Sequence, residues 1–413
     1  MEKERCKSVI LTRDRYNTLL RLKNELLKWA DISKVEKLSF LAEWYDIEAS
    51  VIRQFYFSFF PSDCTVEMFD IKNHKLFLKR THCGGLSLKD IFVGNTIKIF
   101  SRQIKIVDYA DGLTKKKLEV SMQRSFCLIK PDGIVNKGEI ICCILTSGFQ
   151  ISRLKMTRLS KEEAMFMYNE HQGKSFFPYL LDHVTSGPVI GMDILSEDAV
   201  QRMTALVGPP DVSVAKVKYA GSIRATFGQD ITRNAFHAAK TPEKAEKESI
   251  FFFEPRFEGM ASLKPLVQLS NSTCCIIKPH AVQEGLVGKI ICMIEKNNFV
   301  VSGLQLFYLD EVNAEEFLEV YKGVVPDYMS MVKQLSSGPC VAMEVTSSQS
   351  NCNVPVEFRK FAGPADPEIA KRIRPNTIRA HYGKSKIENA IHVTDLPEDA
   401  SLEVEYFFKI LAS

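Results

Sequence analysis

Five polar residues occur twice in this chain, in the same order. Lys130, Arg224, Asn234, His237 and Glu248 return as Lys278, Arg379, Asn389, His392 and Glu403. A single offset relates the last four of each set, so their mutual spacing is identical in the two copies. A histidine followed eleven residues later by a carboxylate, with a lysine and an arginine nearby, is suited to phosphoryl relay through imidazole. The neutral ring is the nucleophile, the acid orients it, and the cations stabilise the moving phosphoryl charge. Taken singly, each feature is weak. Lys130 opens KPDG, an ordinary turn, and Asn-x-x-His is a common accident. Their joint persistence between two halves that have otherwise diverged carries the argument.

The elements that position these residues also repeat. CLIKPDGIV (127–135) returns as CIIKPHAVQ (275–283), and TSGPVIGMDI (185–194) as SSGPCVAMEV (336–345). GSIRATFGQDITRNAFH (221–237) returns as NTIRAHYGKSKIENAIH (376–392). The period is domain-sized, which indicates duplication of a domain and not a solenoid. Each copy reads as a buried apolar strand, a turn, an amphipathic helix (EIICCILTSGF; KIICMIEKNNF) and a second strand. A capped helix follows, with Ser160 and Glu163, or Asn313 and Glu316, forming a capping box, and then a third strand after SGP. This order predicts an α+β chain with two ferredoxin-like α/β sandwich domains in tandem, each a four-stranded antiparallel sheet with helices on one face. Two fused copies could also pair with each other as a pseudo-dimer within one chain.

Residues ~38–125 read differently. TIKIF and QIKIVDY alternate around Ser101–Arg102 as a hairpin, and Pro61–Ser62–Asp63 and Asn73–His74 punctuate further strands, giving a small all-β, barrel-like domain. Ahead of it, Tyr16, Leu19, Leu20, Leu26, Leu27 and Ala30 share one helical face. That helix either packs on its own protein or docks on a partner. The expected segments are a helical extension 1–37, a β domain 38–125, domain A 126–255, a linker 256–271 and domain B 272–413. A net charge of +4 among 413 residues shows no nucleic-acid-binding stripe. No apolar run is long enough for a membrane span, and the N-terminus lacks a signal peptide, so the expected location is the cytosol or a cytosolic structure. The eleven cysteines include two adjacent pairs and no zinc spacing, the usage of reduced, packed thiols.

IKPDG, SGP, the G-x-IR segment, N-x-x-H and the trailing glutamate, in this order over residues ~122–410, resemble the nucleoside diphosphate kinase family. The segments FLAEWYD, VEMFDIKNHKLFLKR and KIFSRQIKIVDYAD resemble the DM-ten domain of ciliary microtubule proteins. The first resemblance implies a ping-pong transfer of the γ-phosphate of ATP or another nucleoside triphosphate to a nucleoside diphosphate, with Mg²⁺ carried on the nucleotide and no metal held by the protein. His237 would take the phosphate, with His392 as the second candidate, and Glu248 and Glu403 would orient them. Tyr168 would assist at the phosphoryl group, and Lys130 and Asn234 would reach the ribose hydroxyl and terminal phosphate. Arg224 would bind phosphates and Phe176 would stack on the base. Lys278, Arg379 and Asn389 take the corresponding places, Arg359 is a phosphate-binding arginine, and Tyr328 is the candidate base platform of the second copy.

Departures from the family pattern are specific. Thr204 stands where the first copy should carry a phosphate-binding arginine, Pro210 replaces a threonine, and Ala238 and Ala239 replace a glycine and a serine. Arg202 lies nearby but out of register. The second copy has Arg359 and Thr394 in place, but His280 replaces the aspartate of KPDG and Ala365 the threonine, and the segment after Tyr321 reads as two residues short. The second resemblance implies docking on ciliary or flagellar axonemal microtubules, a basal body or centrosome, with tubulin, axonemal proteins or a microtubule-nucleating complex as partners. The alternative function is therefore an architectural protein whose kinase folds serve as rigid surface.

Overall fold

The computed structural model describes residues 35–46, 49, 51–83, 86, 88–100, 102–118, 123–254, 263–349 and 352–412. The helix expected over Tyr16–Ala30 lies outside them. The chain divides into two compact units, 1–120 and 121–413.

In the first unit, strands β1 (Leu38–Asp46), β2 (Val51–Phe60), β3 (Thr65–Asp70), β4 (Lys75–His82), β5 (Thr96–Ile99) and β6 (Arg102–Tyr109) form one antiparallel sheet in the order β4-β3-β2-β1-β6-β5. Period-two alternation puts Phe40, Phe55, Phe57, Phe59, Ile104 and Ile106 on its buried face. The β5–β6 hairpin pairs Ile99 with Arg102, and Phe100, which follows β5, is left-handed. The domain is not purely β. A helix at Gly112–Leu118 lays Leu118 on the core, pinned by Thr114, whose hydroxyl accepts the Ser39 amide.

The second unit holds both repeats. The first contributes β7 (Gln123–Ile129), β8 (Gln150–Thr157), β9 (Val189–Ser196) and β10 (Phe236–Ala238). The second contributes β11 (Thr273–Ile277), β12 (Phe299–Tyr308), β13 (Pro339–Ser347) and β14 (Ile391–Val393). β7 begins at Gln123, ahead of the expected boundary at 126. Each copy is a four-stranded antiparallel sheet in the ferredoxin-like order fourth–first–third–second. Helices cover both faces and not one. Cys127 and Ile129 of β7 pack with the helices Lys137–Thr146 and Ala199–Val207, while Phe126 and Leu128 pack with Phe177–Thr185 and Pro242–Phe253. A strand buried on both sides needs no polar alternation, which is why SFCLI is continuously apolar.

The copies meet edge to edge. β8 pairs antiparallel with β12, with Lys155 opposite Gln305, and the two sheets become one of eight strands. Beside this seam the helices Lys137–Thr146 and Val287–Lys296 cross at two glycines. A Cβ on Gly138 would stand 2.7 Å from the Cys292 nitrogen, and one on Gly288 would stand 2.4 Å from the Cys142 nitrogen. The pseudo-dimer left open by the sequence is therefore present. The connecting segment runs along the seam. The Leu266 amide donates to the Met156 carbonyl, and the amides of Gln268 and Leu269 donate to the buried Glu344 carboxylate.

Candidate active site

Both catalytic-type histidines sit on the short outermost strands, where the chain has just passed through a left-handed alanine, Ala235 (φ 62) or Ala390 (φ 72). A Cβ makes that conformation costly, by about 1–2 kcal/mol, so something must hold it. In the first copy the Ala235 amide donates to Asp132, and the other Asp132 oxygen contacts His183 Nε2 at 2.8 Å. In the second copy the Ala390 amide donates to His280 Nε2, and Gln334 stands where His183 stood. An acid–histidine pair has become a histidine–glutamine pair with the same job. The replacement of the KPDG aspartate by His280 is thus compensated. To accept at Nε2 the ring must be neutral, and burial, the main cause, holds its pKa below the ordinary histidine value.

His237 is buried, and Nε2 lies 2.9 Å from both oxygens of Glu248, which projects from the helix Pro242–Phe253. Nδ1 has no partner among the described residues and is the nitrogen left for chemistry. Tyr168 meets the ring edge-on at 5.3 Å, and its hydroxyl is buried without a partner. An orphaned buried hydroxyl beside a nucleophile is a place for a ligand oxygen. Lys130 emerges from β7 and donates to Asn234 Oδ1 (2.7 Å) and the Thr232 carbonyl. Burial, helped by Arg224, lowers its pKa to about 7. Asn234 in turn donates to the carbonyls of Pro210 and Ile231. Arg224 donates to the carbonyls of Gly208 and Phe236, and burial lowers its pKa to about 10. Phe176 stays partly exposed at the start of its helix, as a stacking platform must.

The second copy repeats the frame with altered contents. His392 Nε2 lies 3.0 Å from Glu403, and the Thr394 hydroxyl donates to the same oxygen. Lys278 donates to the Ile387 carbonyl, and burial, helped by Arg379, brings it too to about 7. Arg379 donates to Gly363, matching Arg224 on Gly208, and Asn389 donates to Ala365, matching Asn234 on Pro210. Arg359 pairs with Asp395 at 3.0 Å, and the Tyr321 hydroxyl donates to the same acid.

Three expectations are corrected. Asn313 does not cap its helix. Asp310 does, accepting the Asn313 amide, so Asp310 and not Asn313 stands where Ser160 stands, and Glu316 is taken by the Tyr406 hydroxyl. Ser160 and Glu163 do form the capping box. In that register, fixed further by the left-handed glycines Gly173 and Gly323, Tyr321 matches His171, and the place of Tyr168 is filled by the buried Leu318. Tyr328 is not a base platform. It is 7% exposed, packs in the core and donates its hydroxyl to Glu315. It matches the buried Phe177, and the position of Phe176 is Asp327. Arg202 is out of register, as its place in the sequence suggests, and its guanidinium is held by Ser196 and the Ser147 carbonyl.

The sequence model of the family described as nucleoside diphosphate kinase matches residues 123–257 and again 271–411. This chain belongs to the nucleoside diphosphate kinase family. The model of the N-terminal PH domain of nucleoside diphosphate kinase 7 matches residues 32–120. Within the family, the chain is 46% identical to nucleoside diphosphate kinase homolog 7 of Rattus norvegicus over 376 residues, covering 91% of this chain and 94% of the relative. It is 47% identical to the Mus musculus protein of the same name over 376 residues, again 91% of this chain and 94% of the relative. A crystal structure of the Aquifex aeolicus nucleoside diphosphate kinase is 37% identical, covering 32% of this chain and 96% of that one, with a TM-score of 0.32.

Proposed function

We propose that this kinase-family chain transfers the terminal phosphate of a nucleoside triphosphate to a nucleoside diphosphate through a phosphohistidine at His237. The observation that carries it is the buried His237–Glu248 pair, with Nδ1 unengaged next to the unpartnered Tyr168 hydroxyl. In the first half-reaction Nδ1 attacks the γ-phosphorus, an N–P bond forms, the P–O bond to the leaving diphosphate breaks, and the diphosphate departs. The ring then carries positive charge that Glu248 stabilises through Nε2–H. In the second half a new diphosphate oxygen attacks the phosphorus and the neutral imidazole leaves. Lys130, Tyr168 and Arg224 face the transferring group, and Phe176 takes the base. Mg²⁺, carried on the nucleotide's phosphates, would supply charge neutralisation at the transferring group. Glu248, the carboxylate in contact with the ring, is already committed to His237.

The second copy keeps nucleophile, orienter and lysine, yet Tyr321, whose ring meets His392 at 6.4 Å, has its hydroxyl bound to Asp395, and Asp327 stands at the place of the base-stacking aromatic. Its transfer should be much slower. The test is incubation with γ-labelled ATP, scoring acid-labile, base-stable label in the wild type and in His237→Ala and His392→Ala. Label that persists in His392→Ala and disappears in His237→Ala is expected. No label on either histidine ends this reading.

A second reading concerns placement. The appended N-terminal domain supports docking of the chain on an axonemal or centrosomal microtubule structure, with the kinase unit as cargo. Co-sedimentation of the full chain with microtubules, lost on deletion of residues 1–120, is the expected result. Its absence refutes direct docking on microtubules.

A further inference from the structure

We propose that Lys240 is the phosphate-binding cation of the first copy, taking over from the arginine absent at Thr204. This rests on the phosphohistidine reading of His237. Two positions in each copy face each other across the same cleft wall, one on the helix that ends at Gly208 or Gly363 and one shortly after the histidine strand. In the second copy they are Arg359 and Asp395. Their contact is direct: the guanidinium donates both to the Asp395 carboxylate and to its backbone carbonyl, the latter at 2.7 Å. In the first copy the same two places hold Thr204 and Lys240. Both positions differ in charge between the copies. The cation has left the helix, and on the facing segment an acid has become a lysine.

The surroundings favour a ligand anion at Lys240. Thr204 and Lys240 both line a cavity of about 760 Å³ together with Gly208, Pro210, Arg224 and Ala238, the neighbour of His237. That volume suits a nucleotide-sized ligand. The other cations nearby already have protein partners, and only Arg224 of those named next lines the same cavity. Arg224 donates to backbone carbonyls, Arg202 is held on the far side of its helix, and Lys244 binds Glu170 and Glu248. The Thr204 hydroxyl is turned back onto the Val200 carbonyl. Lys240 is exposed and has no ion-pair partner among the described residues. A lysine is a compact, mobile point charge, able to reach a phosphate from the segment opposite the one an arginine would use.

The experiment is single-turnover labelling of the full-length His392→Ala protein with γ-labelled ATP and Mg²⁺, reading maximal rate and half-saturating ATP separately. Lys240→Ala should raise half-saturating ATP on the order of tenfold to a hundredfold, the range for a lost charge-assisted contact. Lys240→Arg should stay close to the parent. Adding Thr204→Arg to Lys240→Ala should restore most of the loss by returning the cation to the opposite wall. Unchanged half-saturation in Lys240→Ala overturns the proposal while leaving the phosphohistidine intact. A loss that neither Lys240→Arg nor Thr204→Arg relieves marks a structural role and overturns it too. Absence of label in the parent removes the phosphohistidine and this proposal together.

Discussion

Glu248 is where the mechanism is most exposed to measurement. Its carboxylate places both oxygens 2.9 Å from His237 Nε2, in a site where the glutamate is 5% exposed. When the phosphoryl group lands on Nδ1, the ring becomes cationic and this contact becomes an ion pair as well as a hydrogen bond. Such a bond is worth about 1.5–3 kcal/mol, roughly twice its neutral equivalent. Glu248→Gln keeps an acceptor but loses the charge, a loss of about 1 kcal/mol, so labelling of His237 should slow roughly fivefold. Glu248→Ala also strands Nε2–H in a buried site. The combined loss of about 3 kcal/mol or more predicts a slowing beyond about a hundredfold. The assay is quenched-flow labelling with saturating γ-labelled ATP in a His392→Ala host, with melting curves confirming that each variant is folded. The decisive outcome is the order. If Glu248→Ala labels within about twofold of its parent, the carboxylate neither orients nor stabilises the ring, and the derivation fails.

Removing the Tyr168 hydroxyl by Tyr168→Phe should stabilise the empty protein by about 1 kcal/mol, because a buried orphan is deleted, yet slow transfer. Thermal melting and labelling together check these opposite signs. Lys130, at about 7 in the empty cleft, is largely neutral at pH 8, whereas bound phosphate favours its charged form. ADP binding should therefore take up protons at pH 8, read by calorimetry in buffers of different ionisation enthalpy. The uptake should shrink in Lys130→Met, and proton release would contradict the assignment. His280 titrates below its unfolded value, so the unfolded chain protonates first. Stability of the second copy should fall as pH drops through about 6.5 towards the lower folded value, then level off. Hydrogen exchange at Ala390 reports it, and His280→Asp should remove the effect. Gly288→Val, forced against Cys142, should break the seam and split one melting transition into two.

The catalytic frame was legible because it is made of spacings. A histidine and glutamate eleven apart on a strand and the following helix cannot be rearranged without losing the hydrogen bond. The strands were legible because sheet faces must be apolar. What escaped was register and partnership. Tyr328 reads as the platform because it is aromatic and lies in the right helix, but one position separates the exposed start of that helix from its buried face. Tyr321 drew the alignment away from Leu318 for a similar reason, and the true register became visible only through Asp310 and the paired left-handed glycines. The exchange of Asp132–His183 for His280–Gln334 joins residues far apart in the chain, so no local pattern announces it. Helices on the second face escaped because the apolar runs of β7 and β11 show burial without showing what covers it.

The seam between β8 and β12 has an evolutionary corollary. An assembly of identical subunits suffers every mutation twice, once on each side of its axis, so a change that helps one site is copied into the other. Fusing both partners into one polypeptide lifts that constraint. Lys240 opposite Asp395, Tyr168 opposite Leu318 and Asp132 opposite His280 are differences that only a covalently linked pair is free to accumulate.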